Sequence, residues 1–261
     1  MFLVLDYAVG STNFQAIGFQ DLASDWMLSI VDLHDRIIFY LFIILAVVVW
    51  FQMSALFFNS AINGKEDYLG NLANGNWVEL IWTVSPALVL WAIGLPSLRL
   101  LYLMDEMIDP TVTVRIMGSQ WFWSIEYYFD LYDSFLVADV DLMVGYLRQL
   151  AVDNPIVLPI STSIRLLISA NDVIHSFAMP SLALKIDAIP GRLNVAGLIL
   201  NRVGTFYGQC SELCGVLHGF MPIVIRAVSL PHYYHFSSIK LLIGSISYIL
   251  SLSKLGSIYV N

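Results

Sequence analysis

Two long apolar stretches without any charged side chain constrain this sequence more than any other feature. Residues 37–58 hold 22 such positions and residues 80–98 hold 19. At about 1.5 Å per helical residue, either length approaches the roughly 30 Å hydrocarbon core of a bilayer. We therefore predict two transmembrane helices, spanning about 37–58 and 80–103, that form a hairpin over residues 37–104 and leave both chain ends on one side.

Composition excludes several other classes of protein. Of the 261 residues, 58% are hydrophobic and only 12% are charged, and the formal net charge is −8. A soluble domain carries about 25% charged residues. Because phosphate binding needs clustered Lys and Arg, which this sequence lacks, we predict no nucleic-acid partner. Residues 1–36 contain five aspartates and Arg36 as the one Lys or Arg, so we identify no presequence and treat them as an extramembrane segment.

After Asp109 and Pro110 the pattern changes from continuous apolar runs to short alternating ones. Residues 111–117 alternate with period two, which is typical of a half-buried strand. Similar short runs recur, separated by Gly, Pro, Asn and Asp, at 156–160, 163–169, 193–200 and 223–228. Residues from about 110 to 230 are therefore predicted to form an all-β sandwich or barrel.

The tail, residues 231–261, is less informative. Its uncharged stretch, residues 241–253, has only 13 positions and contains four serines. Because that is short for a membrane span, we expect a helix lying on a surface or a frayed tail, with contact to another subunit as its use.

Both cysteines of the chain fall in one short segment that also contains His218 and Met221. The spacing of Cys210, Cys214, His218 and Met221 is that of one loop directing several ligands at a metal. Thiolate, imidazole and thioether ligands together select copper. Two thiolates on one loop can bridge two ions, and a dinuclear site would need a further imidazole from elsewhere, for which His175 is the candidate within the β region.

Other interpretations of the same residues remain open from the spacing alone. Cys210 and Cys214 can form a disulfide, with Met221 a core residue and His175 an ordinary buried histidine. Zinc is a rival metal, although structural zinc sites use four Cys or His ligands without methionine.

Four longer segments carry a resemblance to a known family. They are LPSLRLLY (95–102), QWFWSIEY (120–127), KIDAIPGRLN (185–194) and YGQCSELCGVLHGFMP (207–222). In this order they resemble cytochrome c oxidase subunit II, over about residues 20–230. The resemblance implies a two-helix transmembrane hairpin followed by an all-β cupredoxin-type Greek-key barrel at residues 105–230, with 231–261 as a C-terminal extension of unknown role.

The resemblance also implies a cofactor and an activity. The family holds the dinuclear copper centre CuA, takes electrons from cytochrome c and passes them to haem in the catalytic haem-copper subunit, where oxygen reduction is coupled to proton pumping. The implied copper ligands in this sequence are His175, Cys210, the Glu212 carbonyl, Cys214, His218 and Met221.

Further residues gain roles only through this resemblance. The Glu212 carboxylate is expected to bind a magnesium ion shared with the catalytic subunit. Trp121 is expected to be the point at which electrons enter, and Glu79 a proton-uptake residue. The expected docking acids for cytochrome c are Glu126, Asp153 and Asp172.

The resemblance places the chain in the mitochondrial inner membrane, with the copper domain facing the intermembrane space and other oxidase subunits as partners. Two copper-free alternatives share the expected fold. One is a subunit like that of quinol oxidases, and the other is a membrane-anchored assembly or binding module with a Cys210–Cys214 disulfide.

Overall fold

The structure is a computed structural model that describes residues 18–58, 75–106 and 109–258, and the side chains of these residues except those of Phe58 and of residues 247–258. The chain divides into two compact units. One contains residues 29–103, and the other combines the chain up to Leu28 with the chain from Met104 onward.

Two long helices account for the first unit. Helix α1 runs over Asp25–Phe58 and helix α2 over Asn76–Asp105. Both are long and apolar enough to cross a membrane, and their most apolar windows have no buried residue. Pro86 and Pro96 lie inside α2, as transmembrane helices tolerate.

Helix α1 begins well before the predicted span at residue 37. Ser24 caps its first turn, because the backbone N–H of Met27 donates to Ser24 Oγ at 3.1 Å. The Ser24 hydroxyl in turn donates to the carbonyl of Leu182 at 2.9 Å, which fixes the start of the helix on the β unit. Four charged residues that precede position 37 therefore lie within helix α1: Asp25, Asp32, Asp35 and Arg36.

The second unit is a sandwich of two five-stranded sheets. One sheet has the order β3-β2-β1-β5-β8 and the other β4-β10-β9-β6-β7. The strands are β1 Val112–Ser119, β2 Phe122–Tyr127, β3 Asp130–Ser134, β4 Ile156–Pro159, β5 Ile164–Ala170, β6 His175–Met179, β7 Leu184–Ala188, β8 Asn194–Leu198, β9 Gly204–Cys210 and β10 Pro222–Val228. The predicted order of two apolar helices followed by an all-β domain is confirmed.

Five of these strands lie where alternation predicted them, at β1, β4, β5, β8 and β10. The others were not predicted. Strand β6 is buried at all five positions, so it lacks the polar–apolar alternation that marks a half-buried strand. The core between the sheets is filled by large side chains, among which Trp123, Phe177 and Phe206 are almost completely buried.

The last element that the structure describes is helix α3, Leu230–Ile258. The expectation for this region was a surface helix or a frayed tail. The structure has one continuous helix that packs against the sandwich at Tyr233 and Phe236, since both rings adjoin the core cluster.

Candidate metal centre

Strands β9 and β10 form the frame of the site. They pair antiparallel, with Gln209 opposite Pro222, so the loop between them starts at Cys210 and returns at Met221. Strand β6 lies on the other side of β9, where Phe177 pairs with Cys210. This pairing brings His175, the first residue of β6, to the end of the sandwich that carries the cysteine loop.

The sulfur atoms and one histidine form a tight cluster. A ring nitrogen of His175 and the Sγ atoms of Cys210 and Cys214 all lie within 4.8 Å of one another. The two Sγ atoms are 3.9 Å apart, whereas a disulfide requires about 2.05 Å. Both cysteines are free thiols and both are buried.

The remaining predicted ligands surround the same thiols. His218 Nδ1 and Met221 Sδ each lie 3.5 Å from Cys214 Sγ. The Glu212 carbonyl oxygen lies 3.3 Å from Cys210 Sγ. All six positions implied by the resemblance as copper ligands are thus brought together, although 46 residues of sequence separate His175 from Met221.

His175 is held by one nitrogen while the other has no partner. Nε2 lies 2.9 Å from Asp172 Oδ1, and Nδ1 is buried without a hydrogen-bond partner among the described residues. An orphaned buried nitrogen is costly unless it binds something. The donor set of two thiols, two imidazoles and a thioether fits copper, and the bonded Nε2 leaves Nδ1 as the ring nitrogen available to a metal ion.

Burial also affects the thiols. Loss of hydration, followed by the charge of the neighbouring Cys210, raises the pKa of Cys214 to about 12. A bound metal would have to displace the Cys214 proton, since thiolates rather than thiols are ligands.

Side chains from the turn between β1 and β2, and from the start of β2, hydrogen-bond to the loop that joins β9 and β10. Gln120 Nε2 and Trp121 Nε1 both donate to the Cys214 carbonyl, at 2.9 and 3.3 Å. Trp123 Nε1 donates to the Met221 carbonyl at 3.3 Å. The resemblance implies Trp121 only as the point at which electrons enter. In the structure Trp121 also contacts the loop between β9 and β10 directly.

Gly118 is a site residue that the sequence interpretation missed. A Cβ added at Gly118 would lie 2.9 Å from His175 Cδ2, closer than real Cβ atoms come. Strand β1 can pass the imidazole only because position 118 has no side chain. A glycine inside an otherwise regular strand was the available signal, since it often marks a close approach.

The three expected docking acids all have internal contacts. Glu126 pairs with Arg115 at 3.2 Å. Asp153 Oδ1 accepts from the backbone N–H groups of Phe135 and Asn154, at 2.8 and 2.7 Å. Asp172 Oδ1 lies 2.9 Å from His175 Nε2, so a purely docking role for Asp172 leaves out its contact with the imidazole.

Hydrogen bonds determine the ionisation of Asp172. Burial alone would raise its pKa, but the hydrogen bonds from His175 and from the N–H groups of Val173 and Gln120 together lower it. The carboxylate is thus held in its charged form beside the imidazole.

Glu79 and the Glu212 carboxylate lie outside the sulfur cluster. Glu79 is in the first turn of α2, in the helical unit, with its side chain exposed. The Glu212 side chain is exposed on the metal loop.

Comparison with known families agrees with this geometry. Residues 112–228 match the family model described as cytochrome C oxidase subunit II, periplasmic domain, and residues 12–100 match its transmembrane domain. The chain belongs to the cytochrome c oxidase subunit II family. It is a membrane subunit of an oxidoreductase complex.

Individual relatives cover most of the subunit. Cytochrome c oxidase subunit 2 of Mycosarcoma maydis is 52% identical over 227 residues, which are 83% of this chain and 88% of the relative. The protein of the same name in Cyanidium caldarium is 48% identical over 87% of this chain and 91% of its own. The crystal structure of the periplasmic domain of subunit II of cytochrome oxidase of Bradyrhizobium japonicum is 40% identical, with a TM-score of 0.48, and covers 52% of this chain and 96% of that one.

Proposed function

We propose that this subunit receives electrons from cytochrome c at a dinuclear copper centre and delivers them to haem in the catalytic subunit. The observation that carries the proposal is the buried cluster of His175, Cys210 and Cys214, in which His175 Nδ1 has no hydrogen-bond partner in the part of the chain that the structure describes. Membership of the subunit II family supports copper as the cofactor of this cluster.

The residues that would hold copper are those grouped around the two thiols. They are His175, Cys210, the carbonyl of Glu212, Cys214, His218 and Met221. When bound, the copper pair supplies a one-electron redox centre shared between two ions.

The protein contributes rigidity and exclusion of water. Cys214 is 4% exposed and Met221 1%, so water has little access to the sulfur ligands. Gln120 and Trp123 bond the loop backbone on either side of His218, at the carbonyls of Cys214 and Met221. A loop fixed in this way keeps its ligands in one geometry, which favours rapid electron transfer because little rearrangement accompanies it.

Trp121 is proposed as the point where electrons enter. Its ring is half-buried, so part of it remains accessible to a docked protein, while Nε1 contacts the backbone of a thiol ligand. A partly exposed aromatic ring that is hydrogen-bonded to the backbone of Cys214 supports this assignment.

Acidic residues are proposed to guide the basic partner, cytochrome c. Glu126 and Asp153 are exposed, and the chain as a whole carries a net charge of −8. Charge of one sign speeds association with an oppositely charged partner and makes it depend on salt.

Two glutamates are proposed to serve the complex as a whole. The exposed Glu212 side chain would bind magnesium at the interface with the catalytic subunit, since carboxylates are the ligands magnesium prefers.

Glu79 would take up protons for oxygen reduction and pumping in the partner subunit. A slower turnover of Glu79→Ala with unchanged reduction by cytochrome c is the result expected of that role.

We further propose the mitochondrial inner membrane as the location, with the copper domain facing the intermembrane space. The relatives at about half identity support this assignment, since their names are those of the oxidase subunit.

The test is rapid mixing of the purified oxidase complex with reduced cytochrome c. Cys214→Ser should abolish fast electron uptake while haem content is retained. Ser211→Ala, a substitution at an exposed position of the same loop, is the control and should react like the wild type. Fast uptake by Cys214→Ser would refute the proposal and favour a copper-free binding module.

A further inference from the structure

Helix α3 has two halves with different surface patterns. In the first half, the buried or half-buried positions are Tyr233, Phe236, Ser237 and Lys240. Their spacing of three and four residues places them on one face. That face packs on the sandwich, where the Phe236 ring centroid lies 5.9 Å from that of Phe129 and 6.2 Å from that of Tyr127.

Lys240 is the last described residue of this packed face. Its Nζ lies 2.8 Å from Asp130 Oδ2 and 4.9 Å above the Tyr132 ring centroid. The ammonium group therefore stays with the sandwich.

Beyond Lys240 the pattern of exposure changes. Leu241, Leu242 and Ile243 are 44%, 62% and 56% exposed, and Ile246 is 49% exposed. Consecutive helical residues point about 100° apart, so the first three cover more than half of the circumference with apolar surface. A helix that packs on a single partner keeps a polar face, whereas one that is apolar all round is typical of a protein core or a lipid environment.

The sequence of the second half of α3 remains apolar beyond Ile246. Residues 241–258 contain one charged side chain, Lys254, in 18 positions. The helical backbone continues to Ile258, and 18 residues span about 27 Å, close to the thickness of a bilayer core. Lys254 lies near the end of the segment, where a long side chain can extend its amine toward a polar interface.

Ser245, the one serine of this half whose side chain the structure describes, does not require water as a partner. Ser245 Oγ donates to the carbonyl of Leu241 at 2.8 Å, one turn earlier in the same helix. Such a bond satisfies the hydroxyl inside the helix, which allows serine in an apolar environment.

We infer that the second half of α3, residues 241–258, lies in the lipid bilayer as a third membrane segment of this chain. The subunit is a membrane protein, so a bilayer is present in any case. The most apolar parts of its helices α1 and α2 are also without buried residues. Tethering to that membrane gives lipid a high effective concentration around α3. Lipid contacts every side of a helix, which matches the distribution of Leu241, Leu242 and Ile243.

The experiment uses nitroxide labels on the full oxidase complex in lipid vesicles. Single cysteines are introduced by Leu242→Cys and Ile243→Cys, two exposed positions on different sides of the helix. The native Cys210 and Cys214 are buried, so the new thiol is the one in this subunit that takes the label, and the unsubstituted complex, treated in the same way, gives the background signal of the other subunits. Tyr234→Cys is the matched control, since it is 58% exposed in the packed half of the same helix.

Relaxation by oxygen and by a water-soluble nickel chelate distinguishes the environments. We expect both labels beyond Lys240 to be several-fold more accessible to oxygen than to nickel, and the label at position 234 to be accessible to nickel. Nickel accessibility at 242 and 243 equal to that at 234 would place the segment in water. Shielding of either label from both reagents would place it against a partner subunit, and either result overturns the inference.

Discussion

The Asp172 carboxylate and the His175 imidazole form a hydrogen-bonded pair beside the two cysteine thiols, with Oδ1 2.9 Å from Nε2. The His175 side chain is fully buried, whereas that of Asp172 is 33% exposed. A bond to one ring nitrogen fixes the orientation of the ring and directs the other nitrogen to the metal. Asp172 therefore has a positioning role in addition to any contact with a docked protein.

Asp172→Asn should weaken the copper site. Loss of a carboxylate that orients a histidine ligand typically lowers metal affinity by about 10- to 100-fold. Copper retention by the purified complex under increasing chelator concentration measures the effect. Glu126→Gln removes the same charge without touching His175, so it should slow association with cytochrome c but retain copper. Equal copper retention by the two variants would make Asp172 a docking residue only.

Gly118→Ala should also disturb the site, through contact with the Cδ2 and Cγ atoms of the imidazole. Its Cβ would come within 2.9 Å of His175 Cδ2, so the ring or the strand must move. We expect reduced copper content and an altered EPR spectrum. Gly219→Ala is the matched control, because nothing lies within 4 Å of a Cβ at that position even though it adjoins His218. A wild-type spectrum for Gly118→Ala would show that the contact is not limiting.

Trp121→Phe should slow electron uptake much more than docking. The substitution removes the bond from Nε1 to the Cys214 carbonyl but keeps an aromatic ring against the partner. We expect the rate of electron transfer within the docked complex to fall by about tenfold or more, equivalent to about 1.4 kcal/mol of barrier. Stopped-flow kinetics at varied cytochrome c concentration separate this rate from the affinity. Parallel losses in both would indicate a purely structural tryptophan.

Glu212→Gln should separate the two proposed roles of that residue. Its backbone carbonyl, 3.3 Å from Cys210 Sγ, is unchanged by the substitution, so copper should remain. Magnesium should be lost from the complex, since an amide is a weaker ligand than a carboxylate for a hard cation. Metal analysis of the purified complex measures both ions, and full retention of magnesium would contradict the assignment.

The ligand loop could be predicted because its residues are close in sequence. Cys210, Cys214, His218 and Met221 occupy a single connection between strands, so their spacing alone brings them together. The residues that hydrogen-bond to the backbone of this loop could not be found from sequence spacing. Gln120 and Trp123 reach the loop across more than 90 residues of sequence, which only the pairing of the strands determines.

The start of helix α1 and the location of strand β6 also depend on contacts between residues far apart in sequence. Uncharged composition locates the part of α1 that suits lipid, but the Ser24 cap, held by the Leu182 carbonyl, determines where the helix begins. Strand β6 is hidden from periodicity because both of its faces are buried. Tertiary contacts, rather than local pattern, define both.

The copper centre is tested most directly by an EPR spectrum of the purified oxidase complex, combined with analysis of its copper. We predict a hyperfine pattern of one unpaired electron shared by two copper ions, and loss of that pattern in Cys214→Ser. A subunit without copper, with Cys210 and Cys214 joined as a disulfide, would contradict this prediction.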